Sequence, residues 1–211
     1  MIVAVDGPAA AGKGTIARKL AQYFNLAYLD TGILYRAVAL SMIQSDANLN
    51  DPITAEKHAR NFPNQLTKSL AIRTNKVSNL ASYIAAIPSV REALLDYQRN
   101  FATNPETGKD GAILDGRDIA TVVCPNADFK IFITADIKIR AKRRLKELLE
   151  RNQPAIYCQV VNELRERDER DSLRKEAPML KADGAMVLDT SYLTAEKAFE
   201  MARDYIASER L

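Results

Sequence analysis

The sequence predicts an α/β fold in which a five-stranded parallel sheet lies between two layers of helices. Two observations lead to this prediction. Short apolar runs that end in turn residues alternate along the chain with longer segments whose apolar residues recur at helical spacing. Strands that alternate with helices form parallel sheets through right-handed crossovers. A length of 211 residues allows one well-buried domain with small appended segments.

Five apolar runs have the length of strands and are followed by polar turn residues: 2–5, 26–29, 111–114, 129–133 and 185–188. Helical spacing marks seven segments: 13–24, 33–44, 78–86, one that starts at Pro88, a charged one around Arg140, 157–172 and 195–206. Thr31 is predicted to be the N-cap of the second helix. Residues 46–76 contain Asn-Asp-Pro and Phe-Pro-Asn breakers and few periodic positions, which predicts a small irregular lobe or mobile insert.

A glycine-rich loop ending in a lysine, Gly7-x4-Gly12-Lys13, connects the first strand to the first helix. Converging backbone N–H groups in such a loop, with those of the following helix, hold a polyphosphate. The lysine brings a mobile charge to the β and γ phosphates. The strand before and the helix after distinguish this loop from an ordinary glycine-containing turn. Its predicted phosphate contacts are Gly7, Pro8, Ala9, Ala10, Ala11, Gly12, Lys13, Gly14 and Thr15.

Composition excludes several classes of protein. A 47% hydrophobic and 27% charged chain with no long apolar run is an ordinary globular protein rather than a membrane protein. One histidine argues against histidine-based triads and most zinc sites, and His58 is predicted to be solvated. Two cysteines form no disulfide framework, which favours the cytoplasm. The net charge of +3 is too weak to predict nucleic-acid binding.

The third strand ends in a charged turn, Asp115-Gly116-Arg117-Asp118. The carboxyl ends of strands are where open α/β sheets bind their ligands. An acidic residue there, beside a phosphate-binding loop, can hold Mg²⁺ directly or through water. Thr15 and Asp115 are therefore the predicted metal-binding residues. Taken without context, Arg36 is more typical of a surface charge on an amphipathic helix.

Eight strings resemble bacterial cytidylate kinases, a family of nucleoside monophosphate kinases: DGPAAAGKGT (6–15), YLDTGILYRAVAL (28–40), IRTNKVSNLAS (72–82), VREAL (90–94), DGRDIATVV (115–123), KIFIT (130–134), RAKRRLKEL (140–148) and RDERDSLRKEAP (167–178). They run nearly end to end, and phosphate-loop proteins of other kinds share only the first. The glycine between Lys13 and Thr15 is also the form found in nucleoside monophosphate kinases.

The resemblance implies that ATP donates its γ-phosphoryl group to CMP or dCMP, with Mg²⁺. The acceptor phosphate would be gripped by three arginines, Arg36, Arg117 and Arg174. Cytosine would be recognised by Ser82, Arg91 and Asp118. Thr31 would lie beside the acceptor, with Arg167 and Asp171 near the ribose and its neighbours. Arginines of the lid would fold over the transferring group, namely Arg140, Arg143 and Arg144. The predicted catalytic residues are Lys13, Arg117, Arg140, Arg144 and Arg174.

The resemblance also implies a domain layout and leaves alternatives open. The layout is a core of residues 1–45 and 111–211, an acceptor-binding insert at about 46–104 and a lid at about 140–175, in a monomer. The family usually carries a longer insert, and its alanine-proline-leucine string reads Ala177-Pro178-Met179-Leu180 here. The alternatives are a kinase for UMP, AMP or a hydroxyl compound, and a nucleotide-dependent switch or nucleic-acid-associated ATPase.

Overall fold

The computed structural model of this chain describes residues 1–208 and contains five strands in a parallel sheet. The strands are β1 Ile2–Asp6, β2 Ala27–Asp30, β3 Ala112–Asp115, β4 Phe129–Thr134 and β5 Met186–Asp189. Their order across the sheet is β2-β3-β1-β4-β5, and helices lie on both faces. The predicted fold class is confirmed.

Eight α-helices connect these strands in the described part of the chain: α1 Lys13–Tyr23, α2 Thr31–Gln44, α3 Pro52–Arg60, α4 Asn75–Ile84, α5 Pro88–Thr103, α6 Ile137–Glu150, α7 Tyr157–Leu173 and α8 Ala195–Ser208. Two 3₁₀ turns, Asn64–Lys68 and Leu70–Arg73, precede α4, and a π-helix, Ile119–Val123, follows β3.

The central strand β1 sets the register of the sheet. Its residues Ile2 to Val5 lie opposite Ala112 to Asp115 of β3, and Val3 to Asp6 lie opposite Phe129 to Phe132 of β4. A hydrophobic core forms where this sheet packs against α1 and α8. It contains Val3, Val5, Ile16, Leu20, Ile131 and Phe199. The register of β1 against β3 places the carboxyl ends of these two strands side by side. The phosphate-binding loop and the charged turn begin there.

The chain divides into two compact units. The first consists of Met1–Leu29 and the chain from Phe101 onward, and it contains β1, β3, β4 and β5. The second, Asp30–Asn100, is helical and contains α2, α3 and α4. The sequence prediction starts the insert at about residue 46, whereas the second unit begins at Asp30 and so includes α2.

Residues 46–76 are more regular than predicted. Asp51 accepts hydrogen bonds from the backbone N–H groups of Ile53 and Thr54, both at 3.2 Å, and Pro52 is the first residue of α3. Asn-Asp-Pro is thus the start of a helix rather than a break in structure. Thr31 is not an N-cap, since it already belongs to α2, and Asp30 occupies the cap position without a side-chain cap bond.

Candidate active site

The phosphate-binding loop is tightly folded between β1 and α1. Gly7 has a φ of +138°, and a Cβ there would lie 1.9 Å from the carbonyl oxygen of Ile133. No other residue fits that position. Ala10 has a left-handed φ of +60°, which is uncommon for a residue with a side chain. Such strain is held where the surrounding structure requires it, often at a binding site.

Lys13 is buried and points back into its own loop. Its Nζ donates a hydrogen bond of 2.9 Å to the carbonyl oxygen of Pro8. Thr15, two residues on, is exposed. The loop therefore presents a buried ammonium group and an exposed hydroxyl group at the N-terminus of α1.

Asp115 lies beside the loop, as the adjacent strands require. A Cβ built on Gly14 would lie 3.3 Å from Asp115 Oδ2. The same oxygen accepts a hydrogen bond of 2.6 Å from the hydroxyl group of Tyr28 in β2. Tyr28 was not predicted from the sequence as a site residue, although the order β2-β3 places its strand next to that of Asp115. Tyr28 orients this carboxylate toward the loop.

A cluster of alternating charges follows β3. Arg117 Nε donates to Asp171 Oδ2 at 2.9 Å, and Arg174 Nη2 lies 3.3 Å from Asp118 Oδ1. Arg167 Nε is 3.8 Å from the same oxygen of Asp171. Arg174 lies one residue beyond the end of α7. The five predicted site residues in this cluster, from the β3 turn and the end of α7, are brought together.

The charges of this cluster decide the protonation of Asp171. Burial favours the neutral acid and acts to raise its pKa. The nearby guanidinium groups of Arg117, Arg167 and Arg174 outweigh burial and hold the pKa of Asp171 below its usual value. The carboxylate is therefore ionised at neutral pH, and it holds these arginines in place as a group of charged donors.

The arginines of α6 have different surroundings. Arg140 is buried, and its guanidinium group donates to the carbonyl oxygens of Ala135 at 2.9 Å and Ala9 at 3.3 Å. Its Nη1 also lies 2.7 Å from Asp168 Oδ2. Arg144 pairs with Glu147 at 2.9 Å. Arg140 thus connects α6 and α7 to the phosphate-binding loop.

Arg143 contacts the loop through Thr190. Its guanidinium group donates to the hydroxyl and carbonyl oxygens of Thr190, at 2.9 and 2.6 Å. Thr190 in turn donates to the carbonyl oxygen of Ala11 at 2.9 Å. Asp168 and Thr190 were not predicted from the sequence, because both act through tertiary contacts rather than a motif.

Four predicted site residues lie in the second unit. Ser82 of α4 and Thr31 of α2 are buried. Arg91 of α5 donates to the carbonyl oxygen of Ala85 at 3.1 Å, and its guanidinium carbon is 5.8 Å from the centroid of the Tyr35 ring. Arg36 Nη1 lies 3.7 Å from Asp30 Oδ2. Arg36 is therefore a half-buried, paired residue rather than a purely solvated charge.

His58 is also in the second unit and is half-buried, contrary to the prediction that it is solvated. Its Nδ1 lies 2.8 Å from the hydroxyl group of Ser41. This contact joins α3 to α2, which makes His58 a packing residue.

The predicted metal-binding residues, Thr15 and Asp115, suit a cation whose other ligands are water and substrate phosphates. Within residues 1–208 no group of three or more His, Cys, Asp or Glu side chains could hold a metal ion. Mg²⁺ at phosphate sites is bound by one or two protein groups together with water and substrate phosphates. Asp115 and the exposed Thr15 match that pattern.

Within residues 1–208, no helix has both the length and the apolar character needed to cross a bilayer.

A central strand that leads through a glycine-rich loop and a lysine into a helix defines a phosphate-loop nucleotide-binding protein. The family model described as cytidylate kinase matches residues 3–208, and the chain belongs to this family. The resemblance predicted from the sequence is confirmed.

Comparison with known proteins agrees. The chain is 50% identical to a cytidylate kinase of Paramagnetospirillum magneticum, over 99% of each chain. It is also 50% identical to a cytidylate kinase of Rhodospirillum rubrum, over 98% of this chain and 97% of the relative. An uncharacterized protein from Eubacterium ventriosum, solved by crystallography, has a similar fold, with a TM-score of 0.59 at 14% identity over 99% of each chain.

Proposed function

We propose that this protein transfers the γ-phosphoryl group of ATP to CMP or dCMP, which yields ADP and CDP or dCDP. One observation carries the proposal: the loop from Gly7 to Thr15 is intact in a chain that matches the cytidylate kinase family over residues 3–208. ATP is the co-substrate that this family implies.

The loop is assigned to the donor nucleotide. Its backbone N–H groups and the N-terminus of α1 would bind the phosphates, and Lys13 would reach the β and γ phosphates. In the structure Lys13 Nζ is held by the Pro8 carbonyl oxygen. A charged phosphate oxygen is a stronger acceptor than a neutral carbonyl oxygen, so ATP would take over this donor.

Arg117 and Arg174 are assigned to the acceptor phosphate, and in the second unit Arg36 is assigned to it as well. Phosphoryl transfer requires positioning and charge stabilisation more than covalent chemistry. The phosphate oxygen of CMP is already a nucleophile at neutral pH, and a general base is not required. That agrees with a chain whose one histidine packs against Ser41.

Cytosine recognition is assigned to Asp118, with Ser82 and Arg91 from the second unit. The carboxylate of Asp118 suits the N4 amine of cytosine, which is a donor, and Arg91 and Ser82 can donate to N3 and O2. Asp171 and Arg167 are assigned to the ribose and its surroundings. Thr31 is assigned to a position beside the acceptor.

Mg²⁺, when bound, would neutralise charge on the β and γ phosphates. Thr15 and Asp115 would hold it, directly or through water. Residues at about 46–104 and 140–175 are proposed to close over the nucleotides and exclude water. Arg140, Arg143 and Arg144 belong to the second of these segments and are proposed to place positive charge over the transferring group.

The protein is further proposed to act as a monomer in the cytoplasm on small-molecule substrates. Nucleic acid is not a proposed partner, because the basic helices carry their own acids. Arg144 and Arg151 both pair with Glu147 on α6. A surface that follows a phosphate backbone has a continuous basic stripe instead.

A coupled assay of ADP release with ATP and Mg²⁺ tests the proposal, with CMP, dCMP, UMP and AMP as separate acceptors. The proposal predicts the highest turnover with CMP or dCMP. Faster turnover with UMP or AMP would overturn the assignment of Ser82, Arg91 and Asp118. Folded protein that releases no ADP with any acceptor would overturn the proposed reaction itself.

A further inference from the structure

Asp6 is a buried acid that the proposed reaction leaves without a role. It is the last residue of β1, directly before Gly7 of the phosphate-binding loop, and only 2% of it is exposed. Its two carboxylate oxygens accept hydrogen bonds of 2.8 Å each, from the backbone N–H groups of Ile119 and Ala120. Both oxygens of Asp6 are therefore directed at one short segment.

That segment begins immediately after Asp118. It is the π-helix Ile119–Val123, in which the N–H groups of Val122 and Val123 both donate to the carbonyl oxygen of Asp118. π-helices are rare and are found frequently at functional sites. The other end of the charged turn is also fixed to β1, since Gly116 N–H donates to the carbonyl oxygen of Val5 at 2.9 Å. Val5 and Asp6 thus hold both ends of the turn that carries Arg117 and Asp118.

Burying an ionised carboxylate such as Asp6 costs free energy, which a purely structural contact between β1 and the π-helix would not require. Burial raises the pKa of Asp6 to about 6, although the two backbone N–H groups favour the ionised form. The charge of Asp118 raises the pKa further, and Lys13 lowers it. The carboxylate therefore interacts with a residue assigned to the donor nucleotide and with one assigned to the acceptor.

We propose that Asp6 is a positioning residue for the acceptor site: its two hydrogen bonds fix Asp118, and through it Arg174, relative to the phosphate-binding loop. The inference rests on the proposed function, because it assigns to Asp6 the placement of the group that recognises cytosine. Asp118 has little freedom of its own, since it is buried and lies 3.3 Å from Arg174 Nη2. A shift of residues 119 and 120 would move both side chains.

Asp6→Asn tests this with little change in shape. An amide has one oxygen, and its NH₂ group would face one of the two N–H donors, which leaves that donor unsatisfied. The expected result is a rise in KM for CMP of about tenfold and a comparable fall in the ratio of kcat/KM for CMP to that for UMP. Asp128→Asn is the matched control, because the exposed Asp128 accepts from the Ile2 N–H at the other end of β1. We expect this control to leave both quantities within twofold.

A double-mutant cycle separates positioning from a general loss of stability. If Asp6 acts through Asp118, adding Asp6→Asn to Asp118→Ala removes no further preference for CMP over UMP. If the losses of preference for CMP over UMP in the two single variants multiply in the double variant, the inference is overturned. An Asp6→Asn enzyme with unchanged preference and unchanged KM for CMP would also overturn it. Wild-type enzyme that does not use CMP would instead overturn the proposed function.

Amide hydrogen exchange on the wild-type chain covers the case in which Asp6→Asn does not fold. Fixed hydrogen bonds predict that the amides of Ile119 and Ala120 exchange slowly in the nucleotide-free protein and that CMP changes their exchange little. Rapid exchange of these two amides, followed by protection on adding CMP, would show that the segment is not held in advance. That result would overturn the role of Asp6 whatever the activity of the enzyme.

Discussion

The hydroxyl group of Tyr28 in β2 donates a 2.6 Å hydrogen bond to the carboxylate of Asp115 at the end of the neighbouring strand β3. It joins a residue outside every predicted site to the acid assigned to Mg²⁺. Partners that orient a metal-binding carboxylate commonly change metal affinity by about 10- to 100-fold when they are removed.

Tyr28→Phe is therefore expected to raise the Mg²⁺ concentration needed for half-maximal turnover by about tenfold. The phenyl ring keeps the packing and removes only the donor, so the melting temperature is expected to change little. Tyr23→Phe is a matched control, because Tyr23 is an exposed tyrosine at the end of α1. An unchanged Mg²⁺ requirement in Tyr28→Phe would contradict the role of Asp115.

Lys13→Ala is expected to lower kcat by about 100-fold or more, because a positioned charge on the transferring group is lost. Circular dichroism is expected to remain that of the wild type. Lys19→Ala is the control on the same helix, since Lys19 pairs with Glu196 away from the loop. Retained kcat in Lys13→Ala would contradict the assignment of the loop.

Arg140→Lys is expected to weaken both stability and turnover. A lysine cannot serve Ala135, Ala9 and Asp168 together, because it lacks the planar fork of arginine. Burial raises the pKa of Asp168 and the charge of Arg140 opposes that rise, so loss of the contact favours the neutral acid. The expected loss in free energy of unfolding is about 1–3 kcal/mol, measured by urea denaturation.

Arg144→Lys is the control for that experiment. Arg144 is on the same helix, but its partner Glu147 is partly exposed, and such pairs contribute little. A similar loss of stability in both variants would contradict the idea that Arg140 ties α6 and α7 to the loop.

Asp6 gives stability a pH dependence whose sign follows from its raised pKa. In the folded state the pKa of Asp6 is about 6, so it keeps its proton up to that pH, whereas the unfolded state releases the proton near the ordinary pKa of 3.8. The free energy of unfolding is therefore expected to fall as pH rises from about 4 to 6, by roughly 3 kcal/mol from this group. Asp6→Asn is expected to remove that part of the slope in urea titrations at several pH values. A slope equal to that of the wild type would contradict it.

Local sequence was sufficient to predict the sheet, the loop and the family. β1 ends at the turn before Gly7 because Asp-Gly-Pro stops the apolar run, and the periodic residues from Lys13 then form α1. Arg167, Asp171 and Arg174, at the end of α7, were identified as site residues through the family resemblance of the string 167–178. These features depend on residues close together in the chain.

Contacts between distant residues were not predictable in this way. The hydrogen bonds of Asp6 to Ile119 and Ala120 span more than 100 residues, and they need the register of β1 against β3. Tyr28 meets Asp115 only because of the strand order. Asp51-Pro52 was predicted to be a break, since the same residues that start a helix also form turns.

A competition experiment between acceptors tests whether the protein is a kinase for CMP and dCMP. Equal concentrations of CMP, dCMP, UMP and AMP are mixed with limiting ATP, Mg²⁺ and enzyme, and the diphosphates formed are separated and measured. Under competition the product ratio equals the ratio of kcat/KM values and is independent of the total activity of the preparation. We expect CDP and dCDP together to make up nearly all of the diphosphate formed from the acceptors. A mixture dominated by UDP, or by ADP beyond the amount released from ATP, would contradict it.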